Sequence, residues 1–311
     1  MSAPLAVVLN PAAGRGRARR QWPSLAIKLK NAFGTFKLYT TTLPGEESAL
    51  AKQAYSAGAR HILAVGGDGT VNGVLNGLLE CTPGDPLAPD WHLSTVPAGT
   101  ANELASTLGY TSTDIAVARI AKRNEQWFDL LHATYTNPEG NRASRSAFAA
   151  VSWGAAAEIS YRTSTSKVLK RLGGRFSYYA VTLIVTLTYP YFEGDITIDA
   201  RGERKIRHYT GLVCNLETLG GGMKLAPGAS PRDGIGDMLL FEDIPRKDIL
   251  LQPPSWLFEG NHISHPEVSL AQGKRFWVNG PGNVRVDADG EAIGSLPLEV
   301  NVVPGTLPLF A

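Results

Sequence analysis

The sequence predicts an α/β N-terminal domain built on a mostly parallel sheet, followed by a mainly antiparallel β-sandwich C-terminal domain. Three observations point there. Over the first ~125 residues, short buried-strand runs alternate with segments of helical periodicity, the pattern of a parallel sheet with helices on both faces. After about Gln126 the texture turns to period-2 alternation with dense Gly and Pro turns, as antiparallel strands require. A chain of 311 residues also exceeds the roughly 100–200 of one domain, so residues 1–126 and 127–302 are read as separate domains.

In order along the first domain, Leu5–Leu9 is an apolar strand run ending at Asn10-Pro11, and a helix follows over Ala18–Ala32. Thr35–Tyr39 reads as a second strand, Glu46–Ala57 as a helix and His61–Val65 as a buried strand. Val71, Val74, Leu75, Leu78 and Leu79 fall at i, i+3, i+4, i+7 and i+8, one face of a helix. Leu93–Val96 is a fourth strand, followed by a Pro/Gly turn and a helix from about Asn102. In the second domain, Ile196–Asp199, Val284–Val286 and Leu296–Val302 alternate as strands, and Ser166–Leu187 reads as helical.

Composition is that of a globular chain, 43% hydrophobic and 19% charged, and a net charge of +2 argues against a dedicated nucleic-acid binder. Basic residues cluster at Arg15, Arg17, Arg19 and Arg20 and again at Lys167, Lys170, Arg171 and Arg175. These are either solvated faces or sites of attraction to phosphates or an anionic membrane. Cys81 and Cys214 lack CxxC spacing and read as reduced, buried thiols of a cytoplasmic protein. The N-terminus lacks the basic region of a signal peptide. Tyr178–Phe192, the longest apolar region, falls short of the ~20 residues of a spanning helix, so membrane contact is expected to be transient and peripheral.

The strongest chemical signal is Gly66-Gly67-Asp68-Gly69-Thr70, between a buried strand and an amphipathic helix. Glycines let backbone approach a ligand closely, and the helix N-terminus favours an anion. Asp68 would repel a phosphate unless a Mg²⁺ ion or its water lay between. A second loop of this design runs from Pro97 through Gly99 and Thr100 to Leu104, and a third is Asn10-Pro11-Ala12-Ala13-Gly14. Neighbouring strand ends of a parallel sheet converge on one edge, so the loops can form one polyphosphate site. The third loop matches neither the dinucleotide fingerprint nor a P-loop, and alone it could be a simple turn.

In the second half, Gly220–Gly222 precedes Ser230-Pro231-Arg232-Asp233-Gly234-Ile235. Asp233 is either a turn residue or, with nearby backbone carbonyls, a source of the hard oxygen ligands Mg²⁺ prefers. Asp289-Gly290 is a strong hairpin signal; Glu291 beside it is either part of that tip or a general base on a rigid turn. The six histidines show no metal-ligand spacing, and His262 and His265 read as surface-loop residues.

Together these motifs resemble the diacylglycerol kinase catalytic-domain family, which includes sphingosine kinases and bacterial soluble lipid kinases. The resemblance runs in order through NPAAG (10–14), TLPGE (42–46), GGDGTVN (66–72), PAGTANELA (97–105), KRLGGRFSY (170–178), GGGMKLAPGASPRDG (220–234) and DGE (289–291). GGDGT alone is shared with NAD kinases and phosphofructokinases, whose parallel sheet the first domain should share; GGDGT followed by PxGTxNE is more specific. The resemblance implies a lipid kinase that binds ATP between the two domains, with residues 303–311 returning to the first. It implies that Asn10, Pro11, Ala12, Ala13, Gly14, Thr41, Gly66, Gly67, Asp68, Gly69, Thr70, Val71, Asn72 and Thr100 contact ATP. Asp68 would organise a catalytic Mg²⁺; Asp233, with the backbone oxygens of Ser230 and Ile235, would hold a structural Mg²⁺; Glu291 would accept the substrate hydroxyl proton. Diacylglycerol is the expected lipid, with a sphingoid base as the alternative, and a homodimer is compatible with the reading. An NAD kinase-like enzyme is disfavoured by the PAGTANE loop and the DGE hairpin, and an inactive binding regulator by the retained Asp68, Asp233 and Glu291. The chain departs from the family pattern at Asn102-Glu103, where many members have Asn-Asp, and at Gly154–Ala157, which lacks an acidic residue.

Overall fold

The computed structural model describes residues 5–81, 89–165, 174–253 and 255–311, with residues 174–179 described by their backbone alone. The chain forms two compact units, Met1–Leu130 with Val303–Ala311, and Leu131–Val302.

The first unit contains β1 (Leu5–Leu9), α1 (Ala13–Phe33), β2 (Phe36–Thr40), α2 (Glu47–Ser56), β3 (His61–Gly66), α3 (Asp68–Leu79), β4 (His92–Pro97), α4 (Glu103–Thr107) and α5 (Thr113–Ile120). Its sheet is parallel in the order β2-β1-β3-β4. Every residue of β1 and β3 is buried, which is why these strands read as continuous apolar runs. Val71, Val74, Leu75 and Leu78 form the buried face of α3, as their spacing predicts. Helix α1 starts earlier than the periodicity indicates, but Gly14, Arg15 and Gly16 have φ of 58°, 57° and 78°. That stretch is therefore a left-handed loop, and regular helix follows it.

The C-terminal residues of β15 (Glu291–Phe310) complete this sheet, with Leu309 parallel to Leu93 of β4. Ser94 Oγ donates to the Phe310 carbonyl at 3.0 Å, so His61 Nε2, 2.9 Å away, is the donor to that hydroxyl. Burial above all, helped by the charges of Arg123 and His92, pushes the His61 pKa down to about 3 and keeps the ring neutral. The Phe310 ring stacks on His92 with centroids 3.9 Å apart.

The second unit begins within β5 (Glu125–Thr136) and contains β6 (Arg142–Ala147), β7 (Ala150–Gly154), α6 (Ala155–Thr165), α7 (Gly174–Thr188), β8 (Phe192–Ile198), β9 (Arg204–His208), β10 (Thr210–Cys214) and β11 (Gly236–Phe241). It continues with α8 (Arg246–Leu250), α9 (Ser255–Phe258), a 3₁₀ turn (Asn261–Ser264), β12 (Val268–Gly273), β13 (Arg275–Asn279), β14 (Arg285–Ala288) and β15 to Val302. One antiparallel path runs β12-β11-β10-β7-β14-β15, and β13 extends β15 toward β8 and β9. Trp153, Met238, Phe276, Val286 and Leu298 lie in its core.

Three local expectations need correction. Helix α6 adds an element that periodicity does not predict, because Ser and Thr dilute its apolar stripe. His262 is not a surface residue: it is fully buried, stacked near Phe241, and its Nε2 lies 3.0 Å from the Leu225 carbonyl. Cys214 is buried as expected, but Cys81 is only half-buried. Of the helix predicted over Ser166–Leu187, residues 166–173 lie outside the described residues. So do the side chains of Lys167, Lys170, Arg171 and Arg175, and most of the KRLGGRFSY motif.

Candidate active site

In the first unit, the three predicted loops meet at the carboxyl ends of β1, β3 and β4. Asn10 joins them. Its amide N–H donates to the Val65 carbonyl, and its Oδ1 accepts from Ala12 N–H at 3.0 Å. Its Nδ2 donates to Glu47 Oε1 at 2.9 Å and Thr70 Oγ1 at 3.2 Å. A Cβ on Gly14 would stand 2.2 Å from the Ala98 carbonyl oxygen, and one on Gly99 would stand 2.3 Å from Gly67 Cα. Backbones in such contact tolerate no side chain between them.

The Gly99 loop is braced from three sides. Asn102, in the left-handed region at φ 57°, accepts from Gly99 N–H with Oδ1 at 2.8 Å, and its Nδ2 donates to the Gly99 carbonyl at 3.2 Å. Arg17 Nη1 donates to the same carbonyl at 3.1 Å. Asp68 Oδ1 accepts from Glu103 N–H at 2.7 Å, tying the start of α3 to the start of α4. Burial raises the Asp68 pKa, and the backbone amides of Glu103, Asn102 and Leu104 oppose that shift by favouring the carboxylate. Beside this loop opens a cavity of about 320 Å³ lined by Arg17, Gln21, Asn102, Ser106 and Tyr110.

The predicted contact residues are thus largely gathered. Thr41 follows β2, and its N–H donates to the Leu9 carbonyl at 3.0 Å, next to Asn10. Thr100 is exposed on the Gly99 loop. The side chains of Thr41, Thr70, Val71 and Asn72 are buried, unlike that of Thr100. The start of the 12-residue helix α3, two glycine loops and Arg17 thus lie together, and a helix start of this kind favours an anion. Sequence reasoning missed Glu47, buried beneath Asn10. Glu46 and Glu47 look alike in the sequence, yet Glu46 is the one that holds the Thr42 and Leu43 amides at the surface.

In the second unit, Ala288 pairs with Glu291, which leaves Asp289-Gly290 as a two-residue turn with φ of 51° and 86°. Positive φ at both positions makes the tight hairpin its sequence predicts. The Asp289 carboxylate accepts from the N–H groups of Phe148, Ala149 and Ala150 at 2.8–3.1 Å, clamping the tip to the start of β7. Glu291 Oε2 accepts from Arg145 Nη2 at 2.7 Å, a partner the sequence does not single out. Behind them Asp287 is buried. Its Oδ1 takes Gly290 N–H and Ser152 Oγ, and Ser160 also favours the carboxylate. Burial chiefly, with the Asp289 charge adding, pushes its pKa up to about 7. At the Gly154–Ala157 departure, Ala156 N–H is taken by Thr210 Oγ1 at the start of α6.

Asp233 is exposed, and its Oδ1 accepts Ile235 N–H at 3.0 Å. Asp237, two residues beyond Ile235, is buried with Oδ2 unpartnered, and burial followed by the nearby Asp233 charge raises its pKa. No group of three or more His, Cys, Asp or Glu is arranged to hold a metal among the described residues. Asp233 and the orphaned Asp237 Oδ2 offer carboxylate oxygens, the hard donors Mg²⁺ prefers.

Comparison with known proteins agrees with this fold. Residues 4–133 match the family described as "Diacylglycerol kinase catalytic domain", and residues 149–311 match "YegS C-terminal NAD kinase beta sandwich-like domain". A diacylglycerol kinase of Bacillus subtilis (strain 168) is 27% identical over 308 residues, spanning 94% of this chain and 91% of that protein. One from Staphylococcus carnosus (strain TM300) is 26% identical over 300 residues, spanning 94% and 89%. A crystal structure of a diacylglycerol kinase from Bacillus anthracis superposes with TM-score 0.69 at 20% identity, covering 99% of this chain and 96% of that one. An NAD kinase from Archaeoglobus fulgidus, solved with ATP, shares the fold at TM-score 0.52 and 14% identity, over 99% and 93% of the chains. With both halves matched, residues 4–133 belong to the diacylglycerol kinase catalytic-domain family and residues 149–311 to the YegS C-terminal family, and the chain is a kinase, a transferase that acts on an alcohol group.

Proposed function

We propose that the chain transfers the γ-phosphoryl group of ATP to the free hydroxyl of diacylglycerol, giving phosphatidic acid. The observation that carries this reading is the contact of the three glycine loops, Gly14 on Ala98 and Gly67 on Gly99, at the start of α3. That assembly supplies donors for a triphosphate, and the curated relatives named diacylglycerol kinase supply the acceptor class.

Phosphoryl transfer asks the protein mainly for positioning and charge neutralisation. The amides of Gly66–Thr70 and of the Gly99 loop hold the phosphate oxygens, and Arg17 fixes the latter loop. Glu291, oriented by Arg145, accepts the hydroxyl proton as the lipid oxygen bonds to the γ-phosphorus; the bond to the bridging oxygen breaks and ADP leaves. Bound Mg²⁺ would neutralise charge on the phosphates, with Asp68 as its partner near them. Asp233 with the Ser230 and Ile235 carbonyls would hold a second, structural ion. Asp68 also pins α4, so its removal should loosen the Gly99 loop as well.

The test is γ-labelled ATP offered with diacylglycerol, sphingosine and other lipids in mixed micelles, and separately with NAD, with and without Mg²⁺. Label in phosphatidic acid, dependent on Mg²⁺, is the expected result. Label in sphingosine alone would move the substrate to sphingoid bases, and label in NAD alone would overturn the lipid reading.

A further inference from the structure

The cavity of about 320 Å³ beside the Gly99 loop lies within the first unit, and the proposed phosphoryl transfer leaves it unused. Its size is at the lower end of the roughly 300–1,000 Å³ of small-molecule sites. It has room for about ten waters, more than a bare phosphate ion displaces. Three elements supply its walls. Arg17 and Gln21 stand four residues apart on one face of α1, Asn102 comes from the Gly99 loop, Ser106 from α4 and Tyr110 from the link to α5.

Two of these side chains carry hydrogen-bonding capacity that the protein does not use. Tyr110 is only 5% exposed, and its hydroxyl is buried without a partner. Native structures rarely leave such a group unpaired, and a ligand in the cavity would relieve it. Burial pushes the Tyr110 pKa up to about 12 against the pull of Arg119, so the hydroxyl stays a protonated donor. Arg17 uses Nη1 on the Gly99 carbonyl, and its other guanidinium donors meet no partner among the described residues.

Charge at the cavity has one sign. No Asp or Glu lines it among the described residues. Arg119 adds a second cation at its edge. A Cβ on the lining residue Gly109 would stand 3.5 Å from Arg119 Nη1, which holds the Leu108 carbonyl at 2.9 Å. Asp114, the acid of neighbouring α5, is already paired with Lys28. The planar fork of an arginine matches the oxygens of a phosphate group. The Gln21 amide and the Ser106 and Tyr110 hydroxyls suit a hydroxylated body rather than an apolar one. Arg17 also links the cavity to the phosphate loops, because the carbonyl it braces belongs to Gly99, packed on Gly67.

We propose that this cavity binds a phosphate monoester of a short polyol, which fixes Arg17 against the Gly99 carbonyl and so strengthens ATP binding at that loop. The coupling to ATP rests on the nucleotide site proposed above; the binding of the ester does not.

The experiment is calorimetric titration of the full chain with glycerol 3-phosphate, inorganic phosphate and glycerol, first without nucleotide and then with Mg²⁺ and a non-hydrolysable ATP analogue. Glycerol 3-phosphate should bind more tightly than phosphate, and glycerol not at all. The analogue should tighten the ester several-fold, and by linkage the ester should tighten the analogue by the same factor. Tyr110→Phe, which removes one oxygen and no packing, should weaken the ester by about 3–10-fold. Ser106→Glu, at an exposed position of α4, brings a negative charge to the lining and should weaken it by at least about 10-fold. Both variants should keep the melting temperature of the unaltered protein. Dihexanoyl phosphatidate carries the same phosphate on a lipid. Tighter binding than glycerol 3-phosphate, weakened by Tyr110→Phe, assigns the ligand to a lipid headgroup, and equal or weaker binding assigns it to a soluble metabolite; both support the site. No binding of glycerol 3-phosphate, or variants that bind it as the unaltered protein does, would overturn the proposal. So would displacement of the ester by the analogue, because the cavity would then be part of the nucleotide site, or an analogue that binds without changing the affinity for the ester. A chain that binds the ester through Tyr110 but takes no ATP would retire the nucleotide reading and leave the cavity a phosphate site.

Discussion

Asn10 makes contacts in four directions with one short side chain and its own amide: to β3, to its own loop, to α2 through Glu47 and to α3 through Thr70. Polar groups are held in place when their partners are fixed, and this one ties its own loop to β3, α2 and α3 at once. At the hairpin the same economy serves Glu291, whose carboxylate is aimed by Arg145. Glu291→Gln is expected to lower kcat by about 10²–10⁴-fold with the KM for ATP nearly unchanged, the signature of a lost general base. Arg145→Met should lower kcat less, with the KM for ATP nearly unchanged, because the base remains but loses the group that orients it. Asp287 governs stability instead. Between the ordinary Asp value near 4 and about 7, the folded group holds a proton that the unfolded group has shed. Its contribution to stability therefore declines as pH rises through that window, by up to roughly 1 kcal/mol per pH unit. Asp287→Asn should melt higher than the unaltered protein at pH 8 and equally at pH 4; equal melting at both would show that Asp287 does not carry the linkage.

Among the elements, the site depends on how closely backbones approach. Gly67 and Gly99 touch, and α2 lies so near α3 that a Cβ on Gly77 would stand 2.4 Å from the Ser48 carbonyl oxygen. That helix contact carries Glu47 to Asn10. Gly99→Ala forces the Gly67 and Gly99 loops apart by the width of a methyl group. Its measured outcome should be at least a 10-fold rise in the KM for ATP, while the melting temperature changes little, since the loop lies at the sheet edge rather than in the core. Gly77→Ala acts in the other sense: overpacking the α2–α3 contact should cost about 1–3 kcal/mol in urea unfolding. Both glycines are visible in the sequence, but only Gly99 sits in a motif. Gly77 resembles any helical glycine, because close approach between helices leaves no local mark.

Across the whole molecule, the chain passes from the first unit to the second after Leu130 and returns after Val302. The return is structural. Leu307 and Leu309 are fully buried in the first unit, and the Phe310 carbonyl takes the Ser94 hydroxyl. Deleting residues 303–311 is expected to destabilise that unit by several kcal/mol, at about 1.5–3 for each fully buried leucine, read as a lowered urea midpoint and lost ATP binding. A deletion that leaves the midpoint in place would show that the β4 edge is stable without its parallel neighbour.

Fold class, the strand-end glycine loops and the Asp289-Gly290 hairpin are legible in the chain alone. Strand burial, helical period and positive-φ turns are written in residues adjacent along the chain, so local reading recovers them. Packing alone settles which of two neighbouring glutamates supports Asn10, which arginine faces Glu291, and that His262 is buried. Each of these is a pairing across long sequence separation, and burial and charge cancel or add there only once the elements have come together.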